Sequence, residues 1–247
     1  MQFDLEWRIT LFTVVMVSLM ASLGFWQLQR ADEKAALATS FAVRQAQHPT
    51  PPTQLWEKPA DSLAYVPVLL AGMFLQDEYF LLDNKIHSGR FGYEVIGILL
   101  LDDGGTVLVN RGWIAGDASR RELPVVPRVT GPVSLTGHVY VAPGEPYLLA
   151  QQTLETGWPK RIQAIEMDKL LQPVKSSAGH DRVFPFPVRI DAGVPGALMV
   201  DWKVVNVSPQ KHHGYAVQWF AMAAVLFIFY LLRCSNLLQL LTASGRK

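Results

Sequence analysis

Apolar positions are bunched at the two ends of the chain and interleaved with polar ones in between. Ile9 to Leu28 is a run of 20 residues without a charge, bracketed by Arg8 and Arg30. As a helix rising 1.5 Å per residue it covers about 30 Å, the thickness of a bilayer core. Gly214 to Leu232 is a second uncharged run, 19 residues long, between Lys211 and Arg233. Tyr215, Trp219 and Tyr230 lie near its ends, where interfacial aromatics gather. The first run is longer than the apolar core of a signal peptide, about 7–15 residues, and bulky Phe25-Trp26-Gln27 stands where a small-residue cleavage site would be. It therefore reads as a retained span. Its N-terminal flank, Met-Gln-Phe-Asp-Leu-Glu, lacks the Arg- and Ser-rich character of an organelle transit peptide, which points to a bacterial plasma membrane.

Between the spans the pattern changes period. Ala31 to Gln47 continues the first span as a helix until His48-Pro49-Thr50-Pro51-Pro52 stops it. Short strand-like runs follow. Val66–Phe74 and Glu78–Asp83 read as a pair of strands, and Tyr93–Leu101 and Thr106–Trp113 as a hairpin around Asp102-Asp103-Gly104-Gly105. Pro132–Val141 alternates, with Val133, Leu135, Gly137, Val139 and Val141 on one face. Ile162–Gln172 reads as a short helix, and Leu198–Val207 as a last strand leading into the second span. The predicted fold class is a membrane protein: two transmembrane helices flanking a β-rich, α+β extramembrane domain of barrel or sandwich type. The expected segments are an N-terminal tail 1–8, spans 9–28 and 212–232, a domain 29–211 and a C-terminal tail 233–247.

Composition narrows the function classes. Of 247 residues, 22 are Lys or Arg and 21 are Asp or Glu, so no basic field exists to attract nucleic acid. One cysteine excludes an internal disulfide framework and any multi-thiolate metal site. Two spans place both termini on one side and the domain on the other, but flanking charge alone does not set which side, because long loops translocate largely regardless of charge.

Signatures of turnover are missing. There is no phosphate-binding Gly-x-x-x-x-Gly-Lys loop, no Gly-x-Ser-x-Gly elbow and no His-Glu-x-x-His. Gly89-Arg90-Phe91-Gly92 and the carboxylate pairs Asp77-Glu78 and Asp102-Asp103 read as turns, and Cys234 has no neighbouring base. His48, His87, His138 and His180 are scattered without metal-ligand spacing. His212-His213 differs, because it sits where the second span meets water on the domain side. In a two-pass chain Trp26 to Arg30 ends the first span on that same membrane face. On a helix His212, Tyr215, Trp219 and Met222 share one face, His213 lies about 100° away, and Trp26 and Arg30 share another face. A neutral imidazole among flat apolar walls, with Arg30 and Lys211 near the water boundary for carboxylates, suits haem. The same residues, taken alone, better suit two interfacial helices with aromatic anchors and a snorkelling arginine.

Three blocks, in order, give the chain a family resemblance. They are Leu23-Gly24-Phe25-Trp26-Gln27-Leu28-Gln29-Arg30, then Asp83-Asn84-Lys85 through Gly92-Tyr93 to Val109-Asn110-Arg111-Gly112-Trp113-Ile114, and finally His212-His213-Gly214-Tyr215-Ala216-Val217-Gln218-Trp219-Phe220. With its two-span layout, the chain resembles the surfeit locus protein 1 family of cytochrome c oxidase assembly factors over nearly its whole length. The resemblance implies a chaperone-like role without catalysis: binding haem a and assisting its insertion into subunit I of a haem-copper oxidase. Haem a synthase and membrane lipid are further implied partners. The resemblance also implies a periplasmic domain and cytoplasmic termini. It makes His212 the iron ligand, with Tyr215 and Trp219 completing the motif and Trp26 and Arg30 lining the site. The family usually has Asn two residues before this histidine; here Gln210-Lys211 precede it, so His213 stands as an alternative or additional ligand. For Arg111 the alternatives are a core strand end and contact with a haem propionate or a partner. The competing function is a scaffold that holds an oxidase assembly intermediate through its β-rich domain without touching haem.

Overall fold

The computed structural model describes residues 6–142, 144, 151–202 and 208–234. The expected tails beyond these limits, and residues 203–207 of the expected last strand, lie outside them. The contacts divide the chain into two bodies: a domain, Phe41–Trp202, and a helix pair formed by the described parts of 1–40 and 203–247.

The described residues of the domain form six strands: β1 (Pro67–His87), β2 (Arg90–Leu101), β3 (Thr106–Ala115), β4 (Val133–Val139), β5 (Lys160–Ile162) and β6 (Val188–Ile190). β1 pairs antiparallel with β2 on one edge and with β4 on the other. β2 pairs with β3, β3 runs parallel to β6, and β6 returns antiparallel to β4. Five strands thus close a ring, the barrel option of the expected fold class, which removes exposed strand edges. β5 adds parallel to the far half of β1, at Phe80–Leu82. Where strands cross closely there is no room for a side chain. A Cβ on Gly72 would run into the Leu100 carbonyl, and one on Gly137 into the Arg189 carbonyl.

Burial explains the sequence pattern. Val68, Leu70, Leu99, Val107, Val109, Leu135, Val188 and Ile190 form one core. Ile96, Ile98 and Leu108, on the opposite faces of β2 and β3, pack in a second core with Leu170 and Val174 of helix α3 (Met167–Ala178). The central strands are therefore covered on both sides and read as continuous apolar runs. α3 is short and amphipathic, its buried residues four apart, and it stops at Gly179 in a left-handed turn, φ 73°.

Four sequence expectations change. Val66–Phe74 and Glu78–Asp83 are not paired with each other. They are two parts of β1, joined through a bulge between Phe74 and Tyr79, and polar Gln76-Asp77-Glu78 mark that bulge, not a turn. Ile162 belongs to β5, so the helix starts at Met167. The Leu198–Val207 strand reduces, among described residues, to a single bridge from Met199 to Trp113. In β4 His138 is buried although it lies on the face expected to be polar.

The helix pair comprises α1 (Trp7–Gln45), with its last turn in the domain body, and α4 (Pro209–Cys234). A four-residue helix, α2 (Ala60–Leu63), precedes β1. Both α1 and α4 are long and apolar enough to cross a membrane. Thr13, Gly24 and Ala31 of α1 and Ala216 and Ala223 of α4 are buried, the small residues that let helices approach. Leu11, Phe12, Val14, Val15, Leu19, Val225, Phe227, Ile228 and Phe229 instead stand about half exposed. So broad an apolar surface is suited to lipid, not to water.

Candidate functional site at the domain-side end of the helix pair

Gly24 sets the approach of the two helices at this end. A Cβ there would stand 2.7 Å from the Phe220 ring, and the Phe25 ring meets Phe220 edge-on, centroids 5.2 Å apart. One turn on, Gln27 reaches across to His212, with 2.8 Å between Gln27 Oε1 and His212 Nδ1. At the opposite end Thr10 Oγ1 and Tyr230 Oη lie 2.9 Å apart. Two polar bridges thus pin the antiparallel pair near its two ends.

The other ring nitrogen of His212, Nε2, is buried and has no hydrogen-bond partner. Among the described residues three more buried side-chain atoms share that state: Gln76 Oε1, Glu78 Oε2 and Arg189 Nε, all in the domain. Only the imidazole nitrogen is a ligand for haem iron.

The expected constellation is only partly gathered. His212 is half-buried against α1, and Trp219 is half-buried beside that seam. Tyr215 and Met222 face outward, 49% and 43% exposed, because Ala216, Phe220 and Ala223 form the side of α4 that meets α1. His213 and Lys211 are exposed. Arg30 is exposed as well. It pairs with Glu33 at 2.6 Å and lies 5.6 Å from the Trp26 ring, itself 46% exposed. Gln27 was not singled out from the sequence. Its signal was a lone amide inside an uncharged apolar run, where an unsatisfied polar group is costly.

The middle block is gathered too, but into a network that serves the domain. Asn110 Nδ2 donates to Glu94 Oε2 at 2.6 Å, and Asn110 Oδ1 accepts from the Gly112 amide at 3.1 Å. Trp113 Nε1 donates to the Lys85 carbonyl at 2.9 Å. Gly112 has φ 105°, and a Cβ would stand 2.6 Å from the Met199 carbonyl. Arg111 is buried, and its guanidinium donates to the Gly196 and Pro127 carbonyls at 2.8 and 2.9 Å. Burial pulls its pKa below the usual arginine value, partly offset by Tyr79. Its hydrogen bonds tie loops of the domain together. His138 Nδ1 lies 3.0 Å from Asp191 Oδ1, and Thr136 donates to the other carboxylate oxygen at 2.6 Å.

The donor set suits a macrocycle better than a bare ion. No group of three or more His, Cys, Asp or Glu side chains is placed to hold a metal ion among the described residues. A bare zinc needs three or four protein donors. Haem brings four nitrogens of its own and asks the protein for an axial ligand, and the buried, unpartnered Nε2 of His212 is a donor of that type.

Comparison with known proteins agrees with the layout. The profile described as "SURF1 family" matches residues 14–224, a range that takes in the main part of both helices and the whole domain. A SURF1-like protein of Rickettsia felis is 24% identical over 246 residues, covering 94% of this chain and 99% of its own length. The SURF1-like protein of Dictyostelium discoideum is 32% identical over 101 residues, 38% of this chain and 37% of that one. The cytochrome oxidase assembly protein SHY1 of Saccharomyces cerevisiae is 30% identical over 95 residues, 38% of this chain and 24% of its own.

Proposed function

The chain belongs to the SURF1 family, and from that membership we propose that it is a non-enzymatic assembly factor for a haem-copper oxidase. It binds haem a and assists its insertion into subunit I. α1 and α4 span the bacterial plasma membrane, both termini are cytoplasmic, and the β domain is periplasmic. The yeast relative's name supports the oxidase as client. The half-exposed apolar surface of both helices supports the spans.

One observation carries the haem reading: His212 Nε2 is buried and unpartnered at the domain-side end of the helix pair. Haem contributes the iron that this nitrogen coordinates. The chain contributes the ligand, the aromatic walls of Trp219, Phe220 and Phe25, and cations at Arg30 and Lys211 for the propionates. His213, exposed beside it, is the secondary ligand candidate.

The visible spectrum of protein purified from cells making haem a tests this. Wild type carries haem, His212→Ala loses it with its far-UV circular dichroism intact, and His213→Ala keeps most of it. Full retention in the double variant removes His212 as ligand. A wild type free of haem that still recovers oxidase subunits, with or without the histidines, replaces the carrier by the scaffold.

A further inference from the structure

We infer that Gln27 is the positioning residue of this site, holding His212 in the one tautomer that can ligate through Nε2. This rests on the haem reading above and goes beyond it to the group behind the ligand. The contact favours one tautomer. Gln27 Oε1 is an amide oxygen and can only accept, so at 2.8 Å His212 Nδ1 carries the proton and donates it. A neutral imidazole holds one proton, so Nε2 keeps its lone pair. That nitrogen is the one buried without a partner. The same ring with its proton on Nε2 would present a donor to iron and would not bind.

Two features make the hold firm. Gly24, a turn before Gln27, lets Phe220 approach. The Thr10–Tyr230 bridge at the far end fixes the register of the pair. Gln27 is therefore delivered to His212 by the seam, with little freedom of its own.

The choice of an amide sets the ligand's strength. Ligating histidines commonly donate their second N–H to a carboxylate, which raises ligand basicity; a carbonyl orients the ring with less effect on its charge. A neutral partner gives a ligand of moderate strength. That suits a carrier, which must release what it holds, better than a permanent haem site.

Nitrogen-15 NMR of the full chain in micelles reads the tautomer without haem, and ferric haem a titration and redox potentiometry read the consequence. Apo wild type shows His212 protonated on Nδ1. Gln27→Leu moves the proton to Nε2 and weakens haem on the order of tenfold or more, the usual effect of losing a ligand's outer partner. Gln27→Glu keeps the acceptor, tightens ferric haem and lowers the midpoint potential. A residue that merely glued the helices would leave tautomer and potential unmoved. Wild type protonated on Nε2 overturns the assignment, as does Gln27→Leu with the wild-type tautomer and affinity. If the tautomer moves as stated but wild type binds no haem, the hold of Gln27 on the ring stands and the haem reading falls.

Discussion

One histidine in each body meets its partner through Nδ1, His138 in the barrel and His212 in the helix pair, and the partners differ. In the barrel, His138 meets the Asp191 carboxylate at 3.0 Å, and that carboxylate is itself held by Thr136. In the helix pair, His212 meets the Gln27 amide at 2.8 Å, and its second nitrogen is left bare. The first arrangement links β4 to the residue after β6 and stabilises the ring of strands. The second fixes a side chain without using up its donor atom. A histidine set beside a carboxylate that is itself tied to the strands is a structural tie, whereas one whose second nitrogen is buried without a partner is available for ligand chemistry.

The comparison can be tested with matched substitutions. The largest difference is expected between two glycines. Gly72→Ala drives a methyl into the Leu100 backbone carbonyl, which has no room to yield, so it costs about 3 kcal/mol or more. Gly24→Ala meets only the Phe220 ring at 2.7 Å, which can swing aside, so it costs about 1 kcal/mol. Chemical denaturation of the full chain in detergent, read by circular dichroism, measures both. Equal costs would erase the distinction between a glycine facing backbone in the barrel and one facing a side chain at the seam.

Next come the histidines themselves. His138→Leu removes the Nδ1–carboxylate contact with Asp191 and destabilises the domain by about 2 kcal/mol, leaving bound haem unchanged. His212→Leu costs the fold less than about 1 kcal/mol and removes the haem. Thermal melts beside haem spectra on the same samples read the pair. A haem loss in His138→Leu without unfolding would contradict the division.

The smallest effect is an alkaline one. Burial first, and Asp83 next, raise the Tyr93 phenol above its ordinary value of 10.0. Its folded pKa exceeds its unfolded one, so its contribution is whole below about pH 10 and is lost as pH rises toward the folded value. Tyr93→Phe should flatten the fall in barrel stability above pH 10. An identical slope in both proteins would place the alkaline sensitivity elsewhere.

The two bodies also differed in how much their sequence revealed. The helices were legible because lipid-sized apolar runs are long and uniform. The Asp102-Asp103-Gly104-Gly105 hairpin was legible because turn chemistry is local. β6 was not: Val188-Arg189-Ile190 is three residues between irregular segments, and only its pairing with β3 and β4 makes it a strand. β1 was divided in two because Gln76-Asp77-Glu78 reads as a turn until β2 is seen pairing on both sides of it. At the candidate site, the level of His212 along its span followed from topology. Its partner did not, because the face that α4 turns to α1 is chosen by Ala216, Ala223 and Gly24, small residues that carry little signal in periodicity.

The ring of strands has a consequence for synthesis. β6 is the stave that joins β3 to β4, and it is the last of the described strands to emerge. Only 18 residues separate Ile190 from Pro209, where α4 begins. At about 5–20 residues per second that gap is roughly one to four seconds of translation. Pairings between strands so distant in sequence take roughly milliseconds to seconds, a range that overlaps this gap. On the proposed topology, membrane insertion of the second helix and closure of the domain therefore fall within seconds of each other in the life of a nascent chain.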